Sequence, residues 1–235
     1  MGDNMAGSVL ASIGLLGGLS EERLRDLERQ CAMEQHRAGE EVISRDRGNR
    51  DVYFVISGRV QVVNFSMTGR EVAYAYVEAG EYFGEISAID GQPRSAAVVA
   101  VTDCQIAALS PGAFADLLAR EPSIAMDVLR KMARIVRICD ERIMDLTTLG
   151  AHQRVYGELI RMAKPDPVRE GSWMIWPAPT QAEIAALAST TRETVARVMS
   201  QLVGAGLLSR KGKSLYLRDL DRLKELRASL GGGLD

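Results

Sequence analysis

Residues 83–98 read FGEISAIDGQPRSAAV, and the fold turns on how this stretch is understood. It opens on Gly84-Glu85 and closes, nine residues after the glutamate, on Arg94-Ser95-Ala96. Apolar β-branched runs flank it, so it reads as a loop bridging two strands of an antiparallel sheet. Glycine lets a backbone approach a ligand closely. A carboxylate held in place accepts from a ribose 2′-hydroxyl, an arginine pairs with phosphate oxygens, and a serine hydroxyl adds a neutral donor. Gly-Glu alone would be an ordinary hairpin feature. Joined to Arg-Ser-Ala at this spacing, it suits a cyclic phosphodiester of a ribonucleotide.

Outward from that stretch, residues 39–110 alternate short apolar runs with turn residues. The strand-like runs are 52–56, 60–63, 72–77, 96–101 and 106–109; the breaks are Ser57-Gly58, Thr68-Gly69, Ala79-Gly80 and Asp90-Gly91. Many short strands between regular turns predict a sandwich or barrel. The quoted stretch is the one long irregular loop in this region, and such loops tend to carry function. Before the β-rich region, residues 1–8 are polar and Gly-rich and are expected to be disordered. Ser20 then reads as the N-cap of an amphipathic helix with acids in its first turn and Leu24 and Leu27 on its apolar face.

After residue 110 the pattern turns helical, with Pro111 and Pro122 each near a helix start. Leu129, Met132, Val136, Cys139, Ile143 and Leu146 fall at alternating spacings of 3 and 4, a heptad seam. A helix of about 25 residues would run roughly 37 Å. The stripe is narrow and surrounded by charge, which favours a seam between two copies over packing on its own domain.

Residues 164–179 hold Pro165, Pro167, Pro177 and Pro179 around Gly171-Ser172, a broken, turn-rich connection. Thr180-Gln181-Ala182-Glu183 is a capping box ahead of an apolar run. Ser189-Thr190 is a short turn, Thr191 a second N-cap, and a further helix runs from Arg192 to about Val203. Gly204-Ala205-Gly206 ends it, and residues 207–217 read as a basic hairpin. Helix, turn, helix and wing make a winged helix-turn-helix. Arg192, Glu193, Thr194 and Arg197 stand at the start of its second helix, the end that enters a groove in such folds. Arginine can take guanine O6 and N7 with two bonds, and glutamate can accept from cytosine N4. Thr180, Thr191, Arg210, Lys211 and Lys213 are candidates for phosphate contacts, which position a domain without reading sequence.

Charge distribution agrees. The 235-residue chain has net charge −2, but residues 150–235 carry 13 Lys/Arg against 9 Asp/Glu while the remainder carries 16 against 22. A basic tail behind an acidic body suits a polyanionic partner. Cys31, Cys104 and Cys139 are scattered and odd in number, giving no disulfide framework and no metal-binding pair, and no metal is expected. No Lys or Arg precedes Arg23, so the apolar run 9–16 lacks the positive flank of a signal peptide, and no run approaches membrane-spanning length. The expectation is a cytosolic protein with no membrane partner. There is no Ser-His-Asp set, HExxH or Walker loop, and no general base to attack a phosphodiester, so binding without hydrolysis is expected.

The 83–98 stretch resembles the phosphate-binding cassette of cyclic-nucleotide-binding domains. RETVARVMSQL, at 192–202, resembles the recognition helix of the bacterial catabolite activator and fumarate–nitrate regulator family. The resemblance spans residues 13–216, and the two motifs stand in the family's order. It implies an α+β fold: an N-terminal β-roll over 9–120, a dimerisation helix over 121–150 and a winged helix-turn-helix over 151–235. It implies ribose contacts from Gly84 and Glu85 and cyclic-phosphate contacts from Arg94 and Ser95, with Ile86, Ser87 and Ala96 completing the cassette. Base reading passes to Arg192, Glu193 and Arg197, on a half-site near TGTGA in type. Thr180, Gln181, Thr191, Thr194 and Lys211 complete the DNA-facing set; at Gln181 the best-known member has arginine. Homodimerisation follows, as does contact with RNA polymerase through the loop at 166–172.

In the family two adjacent hydroxyl residues on the long helix meet adenine, and counting back from Arg154 puts Cys139 and Asp140 in those places. A carboxylate can accept both guanine donors, N1–H and N2–H, but meets the adenine N1 lone pair unfavourably. The effector therefore stays open between cyclic AMP and cyclic GMP, with Asp140 favouring acceptance of the latter. The alternative is a regulator of the same fold that senses another ligand or none. An iron–sulfur sensor needs a cluster of N-terminal cysteines and only Cys31 is available; a haem sensor needs axial ligands, and His36 and His152 are the only histidines.

Overall fold

The computed structural model describes residues 7–45, 48–65 and 71–229. The chain divides into two compact units, Met1–Val136 and Arg137–Asp235, and the division falls inside a long helix. In the first unit α1 (Glu21–Glu28) leads into β1 (Cys31–His36), β2 (Glu41–Ile43), β3 (Val52–Ser57), β4 (Arg59–Phe65), β5 (Glu71–Glu78) and β6 (Tyr82–Phe83). The short helix α2 (Glu85–Asp90) follows, then β7 (Ala97–Ala100), β8 (Cys104–Leu109) and α3 (Pro111–Arg120). The strands form two antiparallel sheets, β1-β8-β3-β6 and β2-β7-β4-β5.

Why the sheets stack is plain at β3. Alternate strand residues face opposite ways, yet Val52, Tyr53, Phe54 and Val55 are all buried. Val52 and Phe54 pack with Leu10, Ile13, Leu16, Phe114, Ile124 and Val128 on one face. Tyr53 and Val55 pack with Val60, Val77, Val98 and Ile106 between the sheets on the other. At about 2 kcal/mol per fully buried apolar side chain, this strand serves two cores at once.

Several expectations need correction. The segment at 83–98 does not join two strands of one sheet: β6 lies in the first sheet and β7 in the second. Nor is it irregular throughout, since α2 fills its first half; six residues are too few for helical periodicity to show. β1 went unread because CAMEQH neither alternates nor carries a β-branched or aromatic residue, and its place is set by pairing with β8 from Cys31↔Leu109 to His36↔Cys104. Of the expected disorder at 1–8, residues 1–6 lie outside the described residues, as does the turn at Thr68-Gly69. Ser8, however, is ordered: it caps the 3-10 turn Val9–Ser12, its N–H donates to Glu21 Oε1 at 2.8 Å, and its hydroxyl donates to Glu28. The fully buried Leu10, Ile13 and Leu16 anchor this strap.

α4 (Pro122–Thr148) has 27 residues, about 40 Å of helix, beginning on proline as α3 does. Its early turns enter the first core through Ile124 and Val128.

The second unit holds α5 (Ala151–Met162), β9 (Lys164–Pro165), β10 (Trp173–Ile175), α6 (Gln181–Leu187), α7 (Arg192–Gly204), β11 (Leu208–Lys211), β12 (Ser214–Leu217) and α8 (Leu220–Ala228). The connection at 164–179 is more than a linker, because β9 and β10 extend the wing into a sheet of order β11-β12-β10-β9. Tyr156, Leu159, Ile184, Val195, Val198, Leu202 and Leu223 form its core. An ionic cluster closes it: buried Asp145 of α4 pairs with Arg161 at 3.0 Å and Arg227 at 2.6 Å, and buried Glu158 pairs with Arg161 at 2.8 Å. Among the described residues no helix is long and apolar enough to cross a membrane.

Candidate functional site

The cassette is assembled around Gly84. Its φ of +87° is left-handed, and a Cβ there would lie 2.7 Å from the Asp51 carbonyl oxygen and 2.9 Å from Arg94 Nη1. Both conformation and space therefore exclude a side chain. The backbone turns sharply into α2, and Glu85 enters the protein as a buried carboxylate. Glu85 Oε1 lies 3.2 Å from Lys131 Nζ, while Oε2 is buried without a hydrogen-bond partner.

Arg94 approaches from the other end of the loop and is equally buried. Its Nη1 donates to the Gly84 carbonyl at 3.0 Å, and its Nη2 donates to Asn49 Oδ1 and the Asp51 carbonyl, each at 2.9 Å. The guanidinium lies 5.6 Å over the Tyr53 ring, and Tyr53 in turn accepts from Asn49 Nδ2 and stacks on Phe83. Its Nε is buried with no partner. Burial lowers the Arg94 pKa, against the charges of Asp51 and Glu85, and burial raises that of Asp51. The cassette thus presents one unpaired buried acceptor and one unpaired buried donor on a cation. Such groups are costly unless something fills them.

The other predicted cassette residues are less uniform. Ser87 is buried and its hydroxyl donates to the Pro93 carbonyl at 3.3 Å, which holds the loop to itself. Ser95 and Ile86 are exposed and Ala96 is buried. Cys139 and Asp140 are both exposed on α4, in the second unit. Along the same helix Leu129, Val136, Ile143 and Leu146 are each more than half exposed.

In the second unit Thr180 and Thr191 cap their helices as the sequence indicates. Thr180 Oγ1 accepts from Glu183 N, and Thr191 Oγ1 accepts from Thr194 N. Val195, Val198 and Leu202 bury one face of α7, leaving Arg192, Glu193 and Arg197 exposed. Glu193 is held below the usual carboxylate range by its own backbone N–H, with help from the Thr191 hydroxyl. Gln181, Arg210, Lys211 and Lys213 are exposed too. The loop at 166–172 is fixed by Asp166, whose carboxylate accepts from Val168 N and the Ser172 hydroxyl. That backbone bond, foremost, lowers its pKa.

Asn49, Asp51, Tyr53 and Lys131 escaped the sequence reading, and Arg154 served there only as a reference point for counting. Each acts on a residue far away along the chain, and none sits in a motif. Among the described residues no group of three or more His, Cys, Asp or Glu side chains gathers as metal ligands.

The chain matches the cyclic nucleotide-binding domain over residues 33–121 and the Crp-like helix-turn-helix domain over residues 153–226. It is 32% identical to the cyclic AMP receptor protein of Thermus thermophilus over 179 residues, 76% of this chain and 80% of that one. It is 27% identical to a CRP-like cAMP-activated global transcriptional regulator of Mycobacterium tuberculosis, over 92% of this chain and 96% of the other. Among solved structures, the Thermus thermophilus catabolite activator protein aligns with TM-score 0.52 and 28% identity, over 93% and 99% of the two chains. A CooA mutant from Carboxydothermus hydrogenoformans aligns with TM-score 0.73 at 21% identity, over 86% and 90%, a likeness of fold.

Proposed function

Because the chain belongs to the CRP family of cyclic-nucleotide-binding transcription regulators, we propose that it is a cytoplasmic homodimer whose grip on DNA is set by a 3′,5′-cyclic ribonucleotide held in the cassette. Its relatives are transcription regulators, not enzymes. One observation carries the effector reading: the cassette buries an unpaired carboxylate oxygen on Glu85 and an unpaired N–H on Arg94, beneath a glycine with no room for a side chain. A ribose hydroxyl donates to the first and a cyclic phosphate accepts from the second. Such a ligand brings one donor and one anionic acceptor, the complement of the two atoms that Glu85 and Arg94 leave unsatisfied.

The homodimer reading rests on the exposed heptad stripe of α4, which soluble monomers rarely leave uncovered. Two copies would place two recognition helices on half-sites about one DNA turn apart. Arg192, Glu193 and Arg197 read bases; Thr180, Thr191, Arg210, Lys211 and Lys213 bear on the phosphates, and Gln181 and Thr194 complete the DNA-facing set. The fixed loop at 166–172, with Val168 almost fully exposed, is the surface offered to RNA polymerase. Cys139 and Asp140 stand where the family's two base-reading hydroxyl residues would be, and the Asp140 carboxylate is the reason to let cyclic GMP compete with cyclic AMP.

Titration calorimetry with both nucleotides, paired with gel shifts on a palindromic TGTGA-type site, tests the whole reading. Saturable binding of one nucleotide that tightens DNA binding is expected, and Asp140→Ser should move the preference towards cyclic AMP. Specific DNA binding with no response to either nucleotide would replace this reading by a regulator with another ligand or none.

A further inference from the structure

Lys131 is an unusual lysine. It stands on α4 one turn beyond the core residue Val128, and three-quarters of its side chain is buried, while its neighbour Arg130 turns outward to pair with Asp127. Its ammonium meets Glu85 Oε1 at 3.2 Å, donates to the Tyr82 carbonyl at 2.5 Å and lies 3.6 Å over the Tyr82 ring. Three N–H donors with three such partners leave nothing for a ligand. The two oxygens of Glu85 are thereby made unequal: one is pinned, the other buried and unpaired.

We propose that Lys131 is the positioning residue that makes the cassette select a ribose 2′-hydroxyl, by pinning and counter-charging one oxygen of Glu85 so that the other must accept from the sugar. This rests on the nucleotide reading and adds a residue no motif contains. Without the ammonium, Glu85 loses the contact that pins Oε1 and its 3.2 Å counter-charge, so the buried carboxylate is free to turn. An unpinned carboxylate can offer either oxygen to water or to a neighbouring donor, so its bond to the sugar is no longer specified. Recognition of the hydroxyl should then fade while the phosphate contact at Arg94 persists. A clamp that merely fastened α2 to α4 would weaken every ligand alike.

The experiment compares 3′,5′-cyclic AMP with its 2′-deoxy analogue, and cyclic GMP with its own, on wild type, Lys131→Met and Lys131→Arg. A charge-assisted hydrogen bond predicts a ribo-to-deoxy affinity ratio of about 10- to 100-fold in wild type. In Lys131→Met the ratio should fall to within about threefold of unity, mostly through weaker ribonucleotide binding, and Lys131→Arg should recover part of it. Without ligand, Lys131→Met should lower Tm, and adding Glu85→Gln should restore it. An unchanged ratio in folded Lys131→Met overturns the assignment while leaving the nucleotide reading intact. Failure of wild type to bind either cyclic ribonucleotide overturns both.

Discussion

Arg154 donates from Nη2 to the carbonyl of Ser189 at 3.1 Å, across 35 residues of chain. Ser189 has φ +50°, a left-handed conformation at a residue other than glycine, in the turn between α6 and α7. The same guanidinium donates from Nε to the Ala188 carbonyl at 2.9 Å and from Nη1 to the Leu149 carbonyl at 2.9 Å. One side chain therefore satisfies the carbonyls of a strained turn and ties it to the start of α5. Arg154→Met should lose about 2–3 kcal/mol, since charged hydrogen bonds are removed and partly buried acceptors are left unmet. DNA binding should weaken further, because α7 is aimed by this turn. Unchanged unfolding and unchanged DNA affinity would show that the turn holds itself.

Gly84→Ala should abolish nucleotide binding in a folded protein. The added Cβ meets the Asp51 carbonyl and Arg94 Nη1 at less than 3.0 Å, and the φ is unfavourable to an alanine besides. Strain of this kind costs about 1–3 kcal/mol, and relief moves Arg94 off its perch. Calorimetry beside a thermal melt checks it; wild-type affinity in the variant would mean that the turn is not part of the site.

Cys139 occupies a seam position on α4 and is exposed in the single chain. In a parallel pairing of two α4 helices it meets its own counterpart, within reach of a disulfide. Mild oxidation should yield a covalent dimer that disappears in Cys139→Ser and persists in Cys31→Ser. A monomer by sedimentation, uncrosslinked under the same oxidant, refutes the dimer.

Arg192 and Lys211 should fail differently. Arg192→Ala should cost about 1–3 kcal/mol and relax the preference at one base pair, whereas Lys211→Ala should weaken all sequences alike and reduce the salt slope by about one. Identical behaviour of the two variants would remove Arg192 from base reading.

Cys31 carries a pH dependence whose sign follows from its surroundings. Burial, with the nearby Glu28 charge, pushes its thiol from 9.0 up to about 11. The folded chain keeps that proton where the unfolded chain has lost it, so its contribution is complete below pH 9 and lost as pH rises towards 11. Stability should fall over that window, and Cys31→Ala should flatten the fall. At pH 8 about one thiol in a thousand would be ionised, so iodoacetamide should spare Cys31 and react as pH climbs. Rapid labelling at pH 8 contradicts this.

What could be read beforehand was whatever the chain keeps close together. Glu85 and Arg94 stand nine residues apart, and Thr180 and Thr191 announce their helices by local capping. β1 is a strand because β8 supplies its ladder, and its own residues show no alternation that would say so. Lys131 finds Glu85 across 46 residues of chain, and Arg94 finds Asn49 across 45. Neither pairing has a spacing signature. The six residues of α2 were lost for a different reason, being shorter than two helical turns. α8 went unread since its burial depends on a core formed by three other helices and the strands β10, β11 and β12.

The ionic cluster around Asp145 brings the beginning and the end of the second unit to one spot. Arg227 reaches Asp145 across 82 residues, and Gln153 Nε2 donates to the carbonyls of Arg227 and Ser229. A unit closed on itself in this way takes the last turns of α4 into its own fold, and the turns of that helix between Val128 and Asp145 are the stem that leads to it. Insertions in that stem would act through angle: one added residue turns whatever follows by about 100°, while seven bring it back to within about 20° of the original phase. Lengthening the stem by whole heptads should therefore be tolerated where a single residue is not, with helical phase, rather than length, as the inherited quantity.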